Sequence, residues 1–260
     1  MQPAVDLVAD IGEGFGAFRM GDDEALLGLV TSANIACGFH AGDPRIMDVS
    51  TRECVRRGIS IGAHPSFPDL IGFGRRTMEL TAEEVRTDIL YQLGALHAFS
   101  VANKGRLAHV APHGRLGNLV AVRADYASAV VSAICDFDAR LIVVAQAGCL
   151  HDIALDHGLS VATVGIADRN YQDDGTLVPR SDPSALVTDE DAIARRTVTM
   201  VTEGIIETVA GSWIQVPCDT VLLHGDTPGA VSIARRIRVE LEAAGVRFAP
   251  LEEVLALKQE

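Results

Sequence analysis

Basic residues are scarce in this chain of 260 residues. Lysine and arginine together number 22, against 35 aspartates and glutamates, so the net charge is −13 and the isoelectric point is near 5.0. Because such a surface repels polyanions, the composition argues against nucleic acid or an anionic membrane as the main partner. A small anionic substrate is still compatible with this charge, since one nearby arginine or lysine outweighs distant carboxylates.

Long apolar runs, paired cysteines and linkers are also missing. No apolar run reaches the ~18 residues needed to span a bilayer, and no basic leader precedes the first strand-like segment, so we expect a cytoplasmic protein. The five cysteines form no CxxC pair and are predicted to be reduced, buried side chains. Without a linker or an internal repeat, residues 1–260 are predicted to form one domain.

Short apolar runs alternate with longer stretches of helical spacing. Runs of roughly four to six residues are typical of parallel strands buried on both faces. The predicted strands are residues 4–9, 32–36, 59–63, 107–110, 141–145, 160–164, 220–223 and 246–248. The predicted helices are residues 22–30, 44–57, 81–102, 123–135, a segment ending at 157, 189–202, 228–244 and a last one ending near 258. This alternation fits a (β/α) barrel or an open doubly wound sheet.

The position of the polar residues decides between these two folds. Polar clusters come directly after the predicted strands, at residues 10–16, 34–43, 62–65, 109–114, 168–171 and 224–226. In a barrel all of these clusters lie on one rim and converge on one axis, whereas an open sheet spreads its outer clusters far apart. We therefore predict an α/β protein with a single (β/α) TIM-like barrel.

Two carboxylates follow the first predicted strand. Asp10 and Glu13 are candidates for a general acid/base pair or for oxygen ligands of a cation, because the glycines around them leave the backbone bare. The segment has no Walker-type pattern, so a phosphate-binding loop is not predicted.

Histidines follow several of the other strands. Together with the carboxylates they resemble either a divalent-metal site or an acid/base site, and no HExxH or CxxC pattern decides between the two. The candidate catalytic residues are Asp10, Glu13, His113, His224 and Asp226. The candidate metal ligands are His40 and His64.

Two loops, at residues 69–76 and 168–181, are predicted to cover a substrate. Each carries arginines, whose guanidinium groups match a carboxylate or a phosphate. The candidate substrate-binding residues are Asn34, His40, Arg75, Arg76, Arg169 and Arg180.

Several segments resemble a known family over nearly the whole chain. They include SANIACGFHAGDP at 32–44, GAHP at 62–65, GFGRR at 72–76, ADRNY at 167–171, LVPRS at 177–181 and HGD at 224–226. These segments are similar to the LamB/YcsF family. The resemblance implies an irregular barrel of the glycoside hydrolase/deacetylase type, ATP-dependent opening of 5-oxo-L-proline to L-glutamate, and partner subunits B and C.

The implied chemistry assigns roles to the candidates. A five-membered lactam is a stable amide, and phosphorylation by ATP would activate its carbonyl group. Because the chain has no Walker motif, ATP is expected to act largely through the partner subunits. The roles are base for Asp10 or Glu13, acid or oxyanion stabiliser for His113 and His224, and substrate clamp for Arg75 or Arg180.

The chain departs from the family pattern at three positions. Val8, Ala111 and Gly117 stand where the family has Asn, Lys and Tyr. These losses point to a different lactam or amide substrate, or to weak activity. Two alternative functions stay open: a stand-alone metal-dependent amidohydrolase or deacetylase, and a non-catalytic subunit.

Overall fold

Short parallel strands curve into a closed ring. The computed structural model describes residues 3–258. In chain order its strands are β1 Ala4–Ile11, β2 Ser32–Ala36, β3 Ser60–His64, β4 Leu107–Val110, β5 Ile142–Ala145, β6 Val161–Ile166, β7 Ile205–Glu207, β8 Trp213–Gln215, β9 Thr220–Leu223 and β10 Arg247–Phe248. The strands β1 to β6 and β9 pair in parallel, and β9 contacts both β6 and β1. The predicted barrel is confirmed.

Helices surround the ring. In chain order they are α1 Asp23–Leu26, α2 Pro44–Arg57, α3 Ala82–Ala102, α4 Gly114–Val122, α5 Ala124–Asp138, α6 Cys149–Asp156, α7 Glu190–Glu203, α8 Ala230–Ala243 and α9 Leu251–Leu257. In this outer layer α3 packs along α5, and α7 packs along α8. Every residue of β1 after the first is buried, as expected for a strand with the barrel interior on one face and helices on the other.

Helices α2 and α3 begin where the sequence predicts, and each has a side-chain cap at its first turn. The side chain of Asp43 accepts hydrogen bonds from two backbone N–H groups in the first turn of α2, which opens with Pro44. Thr81 and Glu84 form a reciprocal capping box at the start of α3. These caps fix the point at which the chain leaves the rim of the barrel.

Three parts of the fold differ from the sequence prediction. The predicted strand at 246–248 forms β10, but it pairs only with the first two residues of β1 and stays outside the ring. The antiparallel hairpin of β7 and β8 was not predicted. Helix α4 was not predicted either, since the sequence prediction has no helix between the strand at 107–110 and the helix at 123–135. It begins at Gly114 itself, directly after His113.

The cysteines are all free, which agrees with the predicted absence of disulfides. Cys37 and Cys54 are buried, while Cys149 and Cys218 are partly buried. Cys135 is exposed on α5, so the prediction of a buried side chain was wrong there. It lies on the outward face of an amphipathic helix.

Among residues 3–258, no single helix is long and apolar enough to cross a bilayer. Helices α4 and α5 satisfy the length and composition test only when they are joined, and the chain bends by 111° between them. Many residues of α5 are buried within the protein, where this helix packs against α3.

One row of residues crosses four neighbouring strands near the carboxyl rim. Asp10 of β1 is in register with Asn34 of β2, and Asn34 with Gly62 of β3. Gly62 is in register with His109 of β4. All four residues are buried. The row therefore brings three polar side chains and one gap to the same level of the barrel.

A fully buried carboxylate, Asp6, lies at the opposite, amino-terminal end of the ring. Oδ1 of Asp6 accepts hydrogen bonds from the hydroxyl groups of Thr31 at 2.6 Å and Ser32 at 2.7 Å. Oδ2 accepts one from Thr220 at 2.6 Å. Burial raises the pKa of Asp6 to about 6, and the three hydroxyl groups offset only part of that effect.

Candidate functional site

A cluster of one glutamate and three histidines lies at the carboxyl ends of the first four strands. Glu13 follows β1, His40 follows β2, His64 ends β3 and His113 follows β4. Each side chain offers one ligand atom, and these four atoms lie within 4.8 Å of one another. All four residues are at most 5% exposed. We call these four residues the histidine cluster.

Backbone carbonyl groups fix the orientation of two rings in this cluster. Nδ1 of His64 lies 2.5 Å from the carbonyl oxygen of Ala111, and Nε2 of His113 lies 2.9 Å from that of Phe73. Because a carbonyl oxygen only accepts, each of these nitrogens carries a proton and donates it. The remaining nitrogens, Nε2 of His64 and Nδ1 of His113, face each other at 3.0 Å. In neutral rings both present lone pairs.

Two carboxylates border this pair of nitrogens. Oδ1 of Asp10 lies 3.3 Å from Nε2 of His64. Oε1 of Glu13 lies 3.4 Å from Nδ1 of His113 and 3.1 Å from Nε2 of His40. Lone pairs and carboxylate oxygens repel one another at such distances unless a proton or a metal ion lies between them. The histidine cluster is therefore a candidate metal-binding site, and its four atoms are also placed to share protons.

Burial shifts the titration of these groups in opposite directions. It raises the pKa of Glu13 well above its usual value, and nearby carboxylates add to this effect. It lowers the pKa of His40 and of His113 well below the usual value. Burial alone would also raise the pKa of Asp10, but the neighbouring imidazoles, above all His64, hold it well below its usual range. Asp10 is therefore ionised, and the His113 ring is neutral.

A second acid–histidine pair lies on the same rim. Nδ1 of His224 donates a hydrogen bond to Oδ1 of Asp168 at 2.8 Å, and the Thr227 hydroxyl donates to Oδ2 of Asp168 at 2.5 Å. Burial would raise the pKa of Asp168, but the His224 imidazole and the Thr227 hydroxyl lower it overall. This pairing keeps the proton of His224 on Nδ1, so Nε2 is available for proton transfer.

Two of the four candidate arginines bind other side chains. Nη2 of Arg75 donates to Oδ2 of Asp226 at 2.7 Å, which joins the 69–76 loop to the segment after β9. Nε of Arg76 donates to Oδ1 of Asp69 at 2.8 Å, and most of the Arg76 side chain is exposed. Asp226 and Arg76 therefore support loops in this structure.

The other two arginines come from the 168–181 loop. Arg169 is buried and donates to the backbone carbonyl oxygens of Val178 and Ala185, which ties the loop to itself. Arg180 is partly buried and borders the cavity of the barrel. Within residues 3–258 its guanidinium group has no hydrogen-bond or ion-pair partner. Arg180 is thus free to bind an anion.

These groups surround one cavity of about 380 Å³ at the mouth of the barrel. Its polar side contains Asp10, Asn34, His64, His113 and His224, and arginines 75, 169 and 180 also line it. Its apolar side contains Val144, Leu150, Val164, Ile166, Leu177 and Leu222. A cavity of this size and mixed lining is typical of a small-molecule site, for which ~300–1,000 Å³ is usual.

The structure brings most of the predicted site residues together. Eight of the twelve border the cavity: Asp10, Asn34, His64, Arg75, His113, Arg169, Arg180 and His224. Glu13 and His40 contact His113 from outside that lining. Asp168 and His109 belong to the polar clusters at 168–171 and 109–114, but sequence reasoning placed neither among the candidate site residues. The signal for Asp168 was its place directly after β6, next to the chosen Arg169.

The barrel and its rim of acids and histidines match one family. The LamB/YcsF family model matches residues 5–256. The chain therefore belongs to the LamB/YcsF family, as the sequence motifs indicated.

Named relatives and a solved structure span almost the whole chain. It is 48% identical over 252 residues to the 5-oxoprolinase A subunit of Pyrococcus furiosus, covering 96% of this chain and 99% of that protein. It is 50% identical to the 5-oxoprolinase A subunit of Methylococcus capsulatus, covering 96% and 97%. The crystal structure of a lactam utilization protein from Thermus thermophilus superposes with a TM-score of 0.89 at 42% identity, covering 95% and 99%.

A more distant structure shares the fold alone. The catalytic domain of a peptidoglycan N-acetylglucosamine deacetylase from Eubacterium rectale superposes with a TM-score of 0.51 at 11% identity, covering 96% of this chain and 90% of that one. This likeness agrees with the barrel type that the family resemblance implied.

Proposed function

We propose that this chain is the A subunit of a 5-oxoprolinase. With ATP and partner subunits B and C, it opens the lactam ring of 5-oxo-L-proline to give L-glutamate. Near full-length similarity to proteins of that name supports this proposal. One observation carries it: three groups meet at one cavity of small-molecule size. They are the ionised Asp10, the Asp168–His224 pair with Nε2 of His224 free, and Arg180, which has no described partner.

Ring opening adds one water molecule across the C–N bond of the lactam. Asp10, held as the carboxylate, accepts a proton from the attacking water. Nε2 of His224 first takes up a proton, which makes the ring an imidazolium held by Asp168 at Nδ1, and then delivers that proton to the departing ring nitrogen. The bond that breaks yields the free amine, and the bond that forms yields the new carboxylate of glutamate.

Arg180 binds the carboxylate that 5-oxo-L-proline carries beside its ring. A guanidinium group matches a carboxylate with two parallel hydrogen bonds, and burial strengthens such a pair. Arg75 cannot do this as readily, because Asp226 already holds it at 2.7 Å. We assign the clamp to Arg180 rather than to Arg75 for this reason.

ATP activates the stable amide by transferring its terminal phosphoryl group to the lactam carbonyl oxygen, which releases ADP. The phosphoryl group leaves as inorganic phosphate when the attacking water has formed the new carboxylate. Because the sequence has no Walker-type loop, we assign most of the ATP binding to subunits B and C. We place the reaction in the cytoplasm, where ATP is made and where five free cysteines stay reduced.

The proposal is tested with the chain assembled with its cognate subunits B and C. Glutamate and ADP are measured after ATP and 5-oxo-L-proline are added. We expect glutamate and ADP in equal amounts. Asp10→Asn should lower the rate of glutamate formation about 100-fold or more. The control is Asp156→Asn, which changes an exposed aspartate of α6. The proposal fails if no glutamate forms while the Methylococcus capsulatus relative is active under the same conditions.

The same assay separates a second candidate function. The histidine cluster favours a stand-alone metal-dependent amidohydrolase or deacetylase, which needs neither ATP nor partner subunits. Turnover of lactams or acetylated amides by the chain alone, without ATP, would establish that function instead.

We further propose that the histidine cluster binds a divalent transition-metal ion. In a tetrahedral site with metal–ligand bonds of ~2.0–2.1 Å, neighbouring donor atoms lie roughly 3.3 Å apart. The separations of 3.0, 3.1 and 3.4 Å within the cluster fit this value. Three imidazoles and one carboxylate suit Zn²⁺ better than Mg²⁺. The hydrogen bonds to the carbonyl oxygens of Ala111 and Phe73 are of the kind that usually orients metal-bound histidines.

The bound ion would polarise a carbonyl oxygen or lower the pKa of a water molecule beside the cavity. His64 and His113 border that cavity, so an ion that they held would lie beside a substrate. Glu13 and His40 would supply the other two ligand atoms.

Metal binding is measured without reference to activity. Protein purified from zinc-supplemented medium should hold about one equivalent of metal, and Co²⁺ exchanged into it should give the visible absorption of a tetrahedral site. His113→Ala should lose both signals, whereas His97→Ala, on the exposed side of α3, should keep them. If the wild-type protein holds no metal and gives no Co²⁺ spectrum, the proposed metal site is refuted and the cluster shares a proton instead.

A further inference from the structure

A line of hydrogen bonds runs through the barrel from β4 to β1. Nε2 of His109 lies 2.9 Å from Oδ1 of Asn34, and Nδ2 of Asn34 lies 2.9 Å from Oδ1 of Asp10. The three residues belong to the row that also contains Gly62. All three are at most 2% exposed, so water does not compete for these bonds.

Gly62 makes this line geometrically feasible. His109 must reach across β3 to touch Asn34 on β2, and Gly62 is the residue of β3 at that level. A Cβ atom at Gly62 would overlap the imidazole ring of His109. The ring therefore occupies the space that a side chain on β3 would fill.

The direction of every donor in the line is fixed. The Asp10 carboxylate only accepts, so Asn34 turns its amide NH₂ group toward it and its Oδ1 toward His109. Nε2 of His109 must then carry the proton. Burial lowers the pKa of His109 to about 3, so the ring is neutral and Nδ1 is bare. Among residues 3–258 this buried Nδ1 has no hydrogen-bond partner, which agrees with that tautomer.

Both polar atoms of Asn34 are bound within the line, although the residue borders the cavity. Oδ1 accepts from His109 and Nδ2 donates to Asp10, which fixes the orientation of the amide and leaves one N–H and one lone pair unused. The bond from Asn34 holds Oδ1 of Asp10 in place. Oδ2 of Asp10 has no described hydrogen bond and is the oxygen available to a water molecule.

We propose that His109 and Asn34 are positioning residues that together fix the Asp10 carboxylate, and that neither binds the substrate. This rests on the proposed function, in which Asp10 acts on the attacking water. A carboxylate that is free to rotate presents the wrong oxygen or the wrong angle for much of the time, and a misplacement of about 1 Å costs about 100-fold in rate. The loss then falls on kcat, because substrate binding uses other groups.

Kinetics of the complex with subunits B and C, ATP and 5-oxo-L-proline test this assignment. His109→Leu should lower kcat about 10- to 100-fold and leave KM within about twofold. His109→Gln places an amide N–H near the position of Nε2 and should restore kcat to within about threefold. His157→Leu, an exposed histidine after α6, is the matched control. A raised KM with unchanged kcat, or no rescue by His109→Gln, would overturn the proposal.

A second measurement does not depend on turnover. Nitrogen-15 spectra of the histidine rings in the wild-type chain should show His109 as the Nε2–H tautomer at neutral pH. The Nδ1–H tautomer would break the line at its first bond and overturn the assignment. If the complex proves inactive, the proposed function fails, while this spectrum still decides whether the hydrogen-bonded line exists.

Discussion

Asp6 makes the stability of this protein decrease as the pH rises. The carboxyl group of Asp6 lies inside the amino-terminal end of the barrel and is fully buried, with three hydroxyl donors and, within residues 3–258, no ion-pair partner. Burial raises its pKa from an ordinary value of 3.8 to about 6. The folded state thus holds a proton that the unfolded state releases at lower pH.

The size of the effect follows from that difference. A shift of about two pKa units, at about 1.4 kcal/mol each, corresponds to about 3 kcal/mol. The pKa of Asp6 is higher in the folded state than in the unfolded state. Its ionisation therefore has no effect on the free energy of unfolding below about pH 4 and lowers that free energy increasingly up to about pH 6–7. The effect then stays constant. Asp6→Asn removes the titrating group but keeps a neutral side chain of the same shape.

Urea unfolding, followed by circular dichroism at several pH values between about 4 and 8, measures this contribution. The free energy of unfolding of Asp6→Asn minus that of the wild type should rise by about 3 kcal/mol from the lowest to the highest pH. Altered hydrogen bonds to the hydroxyl groups shift this difference by a constant amount only. Asp156→Asn, at an exposed position, should give a flat difference. A flat difference for Asp6→Asn as well would refute the raised pKa.

Three further predictions follow from the site and its loops. Arg180→Ala should raise KM for 5-oxo-L-proline about 10- to 100-fold with little change in kcat, whereas Arg76→Ala should change neither, as steady-state kinetics would show. Asp168→Asn should lower kcat about 100-fold or more with a modest change in KM, and an unchanged kcat would contradict the role given to His224. Gly114→Ala should lower the free energy of unfolding by about 1–3 kcal/mol, because φ is +58° and a Cβ would lie 2.6 Å from the Gly74 carbonyl oxygen. Gly94→Ala should instead raise the free energy of unfolding by about 0.5–1 kcal/mol, because Gly94 lies within α3 and a Cβ there meets no other atom.

The barrel was predictable because its strands carry two independent signals. Each barrel strand is a short, mostly apolar run, and six of the seven, all but β5, are followed by a cluster of polar residues that need a common rim. Hairpin β7–β8 carries neither signal, since its strands have three residues each and only Ile206 among them is buried. Helix α4 could not be recognised from the sequence because its first residue, Gly114, is a glycine with positive φ. The glycine is needed because a Cβ atom there would meet the Gly74 carbonyl oxygen of the 69–76 loop.

Which residues meet could be inferred from the sequence, but the role of each one could not. Parallel strands bring their carboxyl ends together whatever the side chains are, so residues after β1 to β4 had to converge. The role of His64 and His113 depends on which ring nitrogen donates, and backbone carbonyl groups decide that. Every residue has a backbone carbonyl group, so the residue type does not show which carbonyl oxygen will bind a histidine. In the same way, the sequence does not show that Asp168 binds His224 while the adjacent Arg169 binds backbone carbonyl groups.

This dependence on backbone atoms also bears on the family's missing side chains. Position 111 orients His64 through its carbonyl oxygen, which alanine provides as well as lysine does. At position 117 a Cβ would lie 2.5 Å from the carbonyl oxygen of Pro112, so this backbone does not admit a tyrosine without moving. The ring orientations of the histidine cluster therefore survive the departures. What is lost at position 111 is one ammonium group beside the cavity, where Arg115 and Arg180 still offer guanidinium groups without a described ion-pair partner.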